Sequence, residues 1–205
     1  MILGGGCLGA VALDIFKKNG VVVYGILDDD IMIQNTEIDD VSILGSTDDD
    51  GFLKLIGKKC EAFVATDDNK LKKNLTQMLI DRRHIMPVNA IHSSAILGLL
   101  SEMGHGNMLS AGAIMNPKAV IGNHCIIHSG AVIDSYATLG DFVQVGAKSV
   151  VGANAKVGEG TFIGTGVIIV PGITIGKNAR IGAGSVVIAD VADKATVFGN
   201  PAVKV

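Results

Sequence analysis

The chain of 205 residues contains no tryptophan and only two tyrosines and six phenylalanines. A core so poor in aromatics is filled by stacked aliphatic residues. Cysteine is scarce, with Cys7, Cys60 and Cys125 odd in number and far apart. That excludes a disulfide framework and a spaced zinc site, and reads as free thiols in a reducing compartment. A basic excess is missing too: the net charge is −3, and no basic stretch is interleaved with aromatics. Nucleic acid is therefore not the expected partner. Apolar runs are short and broken by Gly or charge, so no membrane-spanning helix is expected. Met1–Leu13 lacks the basic start of a secretory signal, which points to the cytoplasm. A hydrophobic content of 48% against 18% charged residues argues for a packed core and against disorder.

What is present is a repeat. Fourteen apolar residues recur at six-residue intervals: Leu109, Met115, Ile121, Ile127, Ile133, Leu139, Val145, Val151, Val157, Ile163, Ile169, Ile175, Ile181 and Val187. A period of six is neither helical nor simple strand alternation, and it signals a parallel β-helix. Each hexad supplies a short strand and a turn, and three hexads close one triangular coil. The aliphatic residue points inward, and so does the small residue four positions on. Gly is frequent at the turns, where it accepts positive φ. Stacked coils need caps, expected before Leu109 and in Asp193–Val205. Small outer residues such as Ala137 and Ala147 invite side-by-side association.

The first half reads differently. Ile2-Leu3 runs into Gly4-Gly-Gly-Cys-Leu-Gly9, then into a helix over 10–19. A strand over 21–27 ends in Asp28-Asp29-Asp30. Further elements are a strand at 41–44, a helix over 48–56 with Thr47 as N-cap, a strand at 62–65 and a helix over 67–82. That last helix exposes Lys70, Lys72 and Lys73, and a strand at 86–90 closes a small parallel sheet. Gly4-x-Gly6-x-x-Gly9 joins a strand to a helix, with Asp28 after the next strand, as in a dinucleotide-binding turn. The first strand is short, so either the start lies late or the strand is truncated. The segment is too small for a full Rossmann domain, which favours a nucleotide-bearing ligand over a redox cofactor. The alternative is that the glycines only make a tight turn and that Asp28 and Asp29 only solvate a loop.

In this combination the chain resembles the sialic-acid and bacillosamine (nucleotide-sugar) acetyltransferases of bacterial surface-glycan synthesis. The residues that carry the resemblance are Gly4–Gly9, Gly25–Asp29, Ala90–Ala95, Gly130–Asp134, Gly140–Val143 and Val197–Ala202. It implies an α/β plus all-β chain: a small Rossmann-like domain over 1–95, a left-handed parallel β-helix over 96–192 and a C-terminal cap over 193–205. It further implies a homotrimer and a UDP-sugar-like ligand on Gly4, Gly6, Gly9, Asp28 and Asp29. Acetyl-CoA is implied as co-substrate, in a groove between subunits walled by Ala153, Thr165 and Ala183. No metal is expected.

The family's catalytic base is a His directly after the acid of Gly-Ala-Val-Ile-Asp, with a second His nine positions on. Here those positions hold Ser135 and Gln144, and Leu8 and Ala10 replace a His and a Lys of the glycine loop. His128, seven residues before Ser135, is the candidate for a relocated base, oriented by Asp134. Its alternative is a surface turn residue. Gln144 could still hydrogen-bond a ligand, while Ser135 without a base is a weak nucleophile. His124 is expected on a solvent-facing turn, His92 in the connection between domains, and His84 and His105 at the surface or as caps. His124 with His128 lacks the third ligand a zinc site needs. Two functions follow: acyl transfer to an amino sugar or nucleotide-linked sugar through a non-standard site, or a catalytically degenerate relative acting as a binding or regulatory subunit. The missing base favours N-acyl over O-acyl transfer, because a free amine attacks once positioned.

Overall fold

A computed structural model describes all 205 residues, which divide into two compact units, Met1–Ile91 and His92–Val205.

The first unit is a sheet with helices. Its elements are β1 (Ile2–Leu3), α1 (Cys7–Lys18), β2 (Ile26–Leu27), β3 (Glu37–Ile38), β4 (Val41–Gly45), α2 (Asp50–Leu53), β5 (Phe63–Val64) and α3 (Asn69–Arg83). The sheet order is β3-β4-β2-β1-β5, parallel except for the β3–β4 pair. Both residues of β1, β2 and β5 are buried, the unbroken apolar pattern of parallel strands covered on two faces. α1 buries Ala12, Leu13, Ile15 and Phe16, and Phe16 meets Phe63 edge-on at 5.8 Å.

Four local expectations are corrected. The strand over 21–27 shrinks to Ile26–Leu27, because the register Ile2↔Ile26 leaves residues 21–24 beyond the ladder. α2 is capped by Asp49, whose carboxylate accepts from Gly51 N at 2.6 Å. Thr47 is not the cap, because the helix starts three residues later, at Asp50; its hydroxyl instead donates to Asp29 at 2.9 Å. Lys72 is only 2% exposed: it lies three, four and seven residues before Leu75, Thr76 and Leu79, and so shares their inward face. Residues 86–89 form no strand in this sheet, where Val88 N merely donates to Ala62 O at 2.9 Å.

The second unit is a left-handed parallel β-helix. Strands separated by eighteen residues pair in register, as Ile126↔Gln144 and Val132↔Val150 do. One face carries Met108–Leu109, Ile126–Ile127, Gln144–Val145, Phe162–Ile163 and Arg180–Ile181. The second carries Ile96–Leu97, Ile114–Met115, Val132–Ile133, Val150–Val151, Ile168–Ile169 and Val186–Val187. The third carries Glu102–Met103, Val120–Ile121, Thr138–Leu139, Lys156–Val157 and Thr174–Ile175. Each of the fourteen hexad aliphatics is at most 4% exposed. Burying each contributes about 1.5–3 kcal/mol.

The small residues four positions on, from Ala113 to Ser185, also lie inside. Ala137 is among them at 0% exposure, so it is not the outer residue expected: it falls four after Ile133, where the chain passes a corner. Polar members of this column pair inside. Ser149 Oγ donates to Gly164 O at 2.8 Å, and Thr161 Oγ1 donates to Gly176 O at 2.7 Å. Asn107 accepts from Cys125 N at 2.7 Å and donates to Gly122 O at 3.0 Å.

Glycine serves two positions for two reasons. The third residue after each aliphatic from Leu109 to Ile181 has positive φ, as at Gly130, Tyr136, Phe142, Lys148, Asn154 and Gly166. Directly after the aliphatic φ is ordinary, but a Cβ would strike the next coil: at Gly164 it would lie 2.6 Å from Ala183 N. The frequent Gly after the aliphatic therefore answers a close approach, not a turn. The chain ends in a hairpin, Thr196–Phe198 against Val203–Lys204, whose first strand pairs with Arg180–Ile181.

Candidate active site

In the first unit, the turn after β1 and the ends of β2 and β5 enclose a cleft of about 330 Å³. Gly4, Gly6 and Asp28 line it, with Cys7, Leu8, Ala65, Thr66, Asp67 and Leu71. The glycines have separate tasks. Gly4 has φ +117°, and a Cβ there would lie 2.4 Å from Ala65 O. A Cβ on Gly9 would lie 2.2 Å from Gly4 O, so Gly9 lets α1 pack on the turn. At Gly6 a Cβ would meet nothing within 4 Å, so no internal contact demands a glycine there.

Asp28 shapes the turn: its Oδ2 accepts from Gly5 N at 2.6 Å and its Oδ1 from Asp30 N at 2.8 Å. Asp29 is outside the cleft lining and braces a loop, accepting from Thr47 N at 2.8 Å and from the Thr47 hydroxyl.

Two helices begin near this cleft. α3 is capped by Asp68, whose carboxylate accepts from Lys70 N and Leu71 N. α1 has Gly6 as its N-cap, no side-chain cap and no acid in its first turn. Its free N–H groups and helix dipole therefore form the anion-receptive end. Thr66 and Asp67 were not singled out from the sequence. Their signal is position, just past the carboxyl end of a parallel strand, where open α/β sheets bind ligands.

In the second unit, His128 follows Ile127 at the corner between the first and second faces, and Asp134 follows Ile133 at the corner between the second and third. Both stand at the hexad position most often held by Gly. Asp134 Oδ1 accepts from Asn116 Nδ2 at 2.8 Å, one coil earlier, and from Ser135 N at 2.7 Å. Within one chain Asp134 thus engages Asn116 and Ser135, and its hydrogen bonds do not include His128. Asn116, also missed, was findable as the residue eighteen before Asp134.

Ser135 and Ala153 stack at the same corner: Asn154 N donates to Ser135 O at 3.0 Å, and Gly172 N to Ala153 O at 2.9 Å. Thr165 and Ala183 stack on the His128 corner, where Gly166 N donates to Ala147 O and Gly184 N to Thr165 O. That corner is built of small residues past His128: Gly146-Ala147, Gly164-Thr165 and Gly182-Ala183. Gln144 is 6% exposed, on a face whose outward positions Met108 and Ile126 are also buried.

Of the remaining histidines, His92 and His124 are buried and His84 and His105 are exposed. His124 is buried, not solvent-facing; its ring stacks on Phe142 at 4.9 Å, because both occupy the same turn position in successive coils. His92 is buried, with Ser94 N and Oγ at 3.0 and 2.7 Å from Nδ1. His84 is the C-cap of α3 at φ 55°, and His105 is exposed. No group of three or more His, Cys, Asp or Glu is placed to hold a metal ion. The three cysteines are free thiols. No helix is long and apolar enough to cross a membrane.

Residues 1–79 match the PglD N-terminal domain, and residues 154–189 match the bacterial transferase hexapeptide (six repeats). No curated protein sequence matches. Among solved structures, a mutant GDP-perosamine N-acetyl transferase from Caulobacter crescentus, in complex with CoA and GDP-perosamine, is 33% identical. That similarity covers 100% of this chain and 95% of that one, with a TM-score of 0.90. The acetyltransferase domain of PglB from Neisseria gonorrhoeae FA1090 is 25% identical over 100% of this chain and 98% of that one, with a TM-score of 0.90. WeeI from Acinetobacter baumannii AYE, 19% identical over 100% and 98% with a TM-score of 0.85, shares the fold.

Proposed function

The chain belongs to the nucleotide-sugar acetyltransferase family with a hexapeptide-repeat β-helix, and we propose that it transfers an acetyl group from acetyl-CoA to the amino group of a nucleotide-linked amino sugar, of the kind built into bacterial surface glycans. The observation that carries this reading is the pairing of two devices in one chain. One is the glycine turn with an uncapped helix N-terminus, opening on a cleft of about 330 Å³. The other is a complete β-helix whose small-residue corner follows His128.

The nucleotide diphosphate would lie at Gly6 and the start of α1, where backbone N–H groups face it and no Cβ intervenes. Asp28 would act through the turn it holds, and Asp29 through its loop. Either a uridine or a guanosine diphosphate satisfies these donors. The acyl carrier would run along Ala147, Thr165 and Ala183, whose backbone N–H groups donate to no acceptor within the chain. The N–H of Ala153, above Ser135, is the candidate oxyanion donor. His128 is the candidate base, and Asp134 and Ser135 form the corner where the thioester would sit. A homotrimer is supported by the apolar outward column of the second face, Ile96, Ile114, Val132, Val150, Ile168 and Val186.

One observation favours a second reading. Ser135 and Gln144 supply no base, as in a relative that binds without turning over. Calorimetric titration with acetyl-CoA, GDP-perosamine and UDP-amino sugars, followed by release of the CoA thiol, separates the two. Binding with thiol release supports the enzyme; binding of both ligands without release supports the binding subunit. Failure of all of them to bind removes both readings.

A further inference from the structure

We propose that Ser110 is the positioning residue of His128: its buried hydroxyl accepts an N–H of the imidazolium that forms when His128 takes the amine proton. This rests on the acyl-transfer reading with His128 as its base.

The hydroxyl is an unpaired group in the resting protein. Ser110 is 3% exposed, and its Oγ is buried with no hydrogen-bond partner. A buried hydroxyl left unpaired costs stability, and such groups are rare in native proteins. The Ser110 backbone is paired: its N donates to Ile127 O at 2.9 Å, and its O accepts from Ala113 N at 3.1 Å. Only the side chain is uncommitted.

Ser110 follows Leu109 as His128 follows Ile127, and those two aliphatics pair in register. The two residues therefore share one corner in successive coils, about 4.8 Å apart along the β-helix. The Ile127 carbonyl that Ser110 N meets belongs to the peptide bond of His128. On the far side the same position is Gly146, then Gly164 and Gly182, and a Cβ at Gly146 would lie 2.5 Å from Gly164 C. In this column the side chain next to His128 is thus that of Ser110. One coil earlier stands His92, whose Nδ1 accepts from Ser94 N at 3.0 Å and lies 2.7 Å from Ser94 Oγ.

The neighbouring corner shows that such a pair can close. Asn116 and Asp134 hold the equivalent positions, after Met115 and Ile133, and their side chains bond across one coil at 2.8 Å. Ser110 and His128 are the same pair of positions with the bond open. Neutral imidazole has one N–H; protonation adds a second, which calls for an acceptor, and the serine oxygen has two lone pairs. A bond made only to the charged ring lowers the barrier without tightening substrate binding.

The step balances on the substrates and His128. The amine nitrogen bonds to the thioester carbonyl carbon, and the carbon–sulfur bond breaks with its electron pair on sulfur. The imidazole carries the proton from nitrogen to sulfur. Ser110 neither gains nor loses a proton.

Ser110→Ala, His128→Ala and the double variant test this by CoA-thiol release, using whichever of GDP-perosamine and the UDP-amino sugars the wild type acetylates. Ser110→Ala is expected to lower kcat about tenfold at an unchanged KM for acetyl-CoA. Its melting temperature is expected to equal or exceed that of the wild type, because an unpaired buried hydroxyl is removed. On top of His128→Ala the same substitution is expected to change nothing further. An unchanged kcat in Ser110→Ala, or an equal further loss in the double variant, would overturn the proposal. A lowered melting temperature would show the hydroxyl already paired at rest and would overturn it as well. A His128→Ala chain as fast as the wild type removes the base, and the proposal with it, while acyl transfer stands. A wild-type chain that releases no CoA thiol with any of these acceptors sinks the acyl-transfer reading itself.

Discussion

Asn116 Nδ2 donates to Asp134 Oδ1 at 2.8 Å, tying two successive coils at the corner that also holds Ser135. Asp134 shares that oxygen with Ser135 N at 2.7 Å. The pair sets the direction of the carboxylate and, through the Ser135 amide, the turn beside it. Asn116→Ala removes a charge-assisted bond of about 1.5–3 kcal/mol, discounted for partial exposure. The acetyl-transfer rate is expected to fall about tenfold with little change in acetyl-CoA affinity. An unchanged rate would mean that Asp134 needs no such support.

Gly6 and Gly9 should separate binding from folding. A Cβ at Gly6 meets open space, whereas one at Gly9 meets Gly4 O at 2.2 Å. Gly6→Val is expected to keep the melting temperature within a few degrees while weakening GDP-perosamine or UDP-sugar binding at least tenfold. Gly9→Ala is expected to destabilise by about 1–3 kcal/mol through the forced shift of α1. Denaturant melts and titration calorimetry on both variants read the difference. Equal binding by Gly6→Val and wild type would show that the ligand does not approach this turn.

The two glycine positions of the hexad should respond differently. At Gly164 a Cβ lies 2.6 Å from Ala183 N, and the neighbour is backbone that cannot step aside. At Gly166 φ is +68° and the space is open. Gly166→Asn is expected to cost under about 1 kcal/mol, since Asn tolerates that conformation. Gly164→Ala is expected to cost more, by separating two coils. Equal losses in urea melts would contradict this assignment.

The Lys17 ammonium bonds to Asp39 and Asp40, joining the end of α1 to the β3–β4 turn. Asp39, then Asp40, raise the Lys17 pKa above 10.5, and the bond from Lys17 lowers that of Asp40 below 3.8. The Asp40 contribution is present above pH 3.8 and lost as pH falls through the lowered folded value. The Lys17 contribution is present below pH 10.5 and lost as pH rises through the raised one. All three groups are exposed enough for salt to screen them. Lys17→Met should therefore leave the melting temperature at neutral pH and high salt unchanged and flatten only the acid and alkaline limbs. A drop of many degrees at neutral pH would show a buried role for Lys17.

Legibility followed periodicity. The hexad register is read from sequence without error because one inward residue per strand recurs with no insertion from Leu109 to Val187. The glycine turn was equally plain. Helix caps and strand lengths were not. Thr47 looks like a cap until the helix starts three residues later, at Asp50, and Lys72 looks exposed until α3 turns it inward. Asn116 stayed hidden because its partner is a full coil away, and no local pattern joins them.

By itself the sequence determined the β-helix, its register and the strand–turn–helix at Gly4–Gly9, because each is set by local spacing and by which residues must be inside. Tertiary structure decided the chemistry of the corners. It divided Asp28 from Asp29, gave each glycine its separate reason and engaged Asp134 with Asn116. It also set His128 and Asp134 on opposite edges of one apolar face. The reason is physical: a spacing of six repeats every corner alike along the chain, and only the closing of the coil in space decides which corners meet.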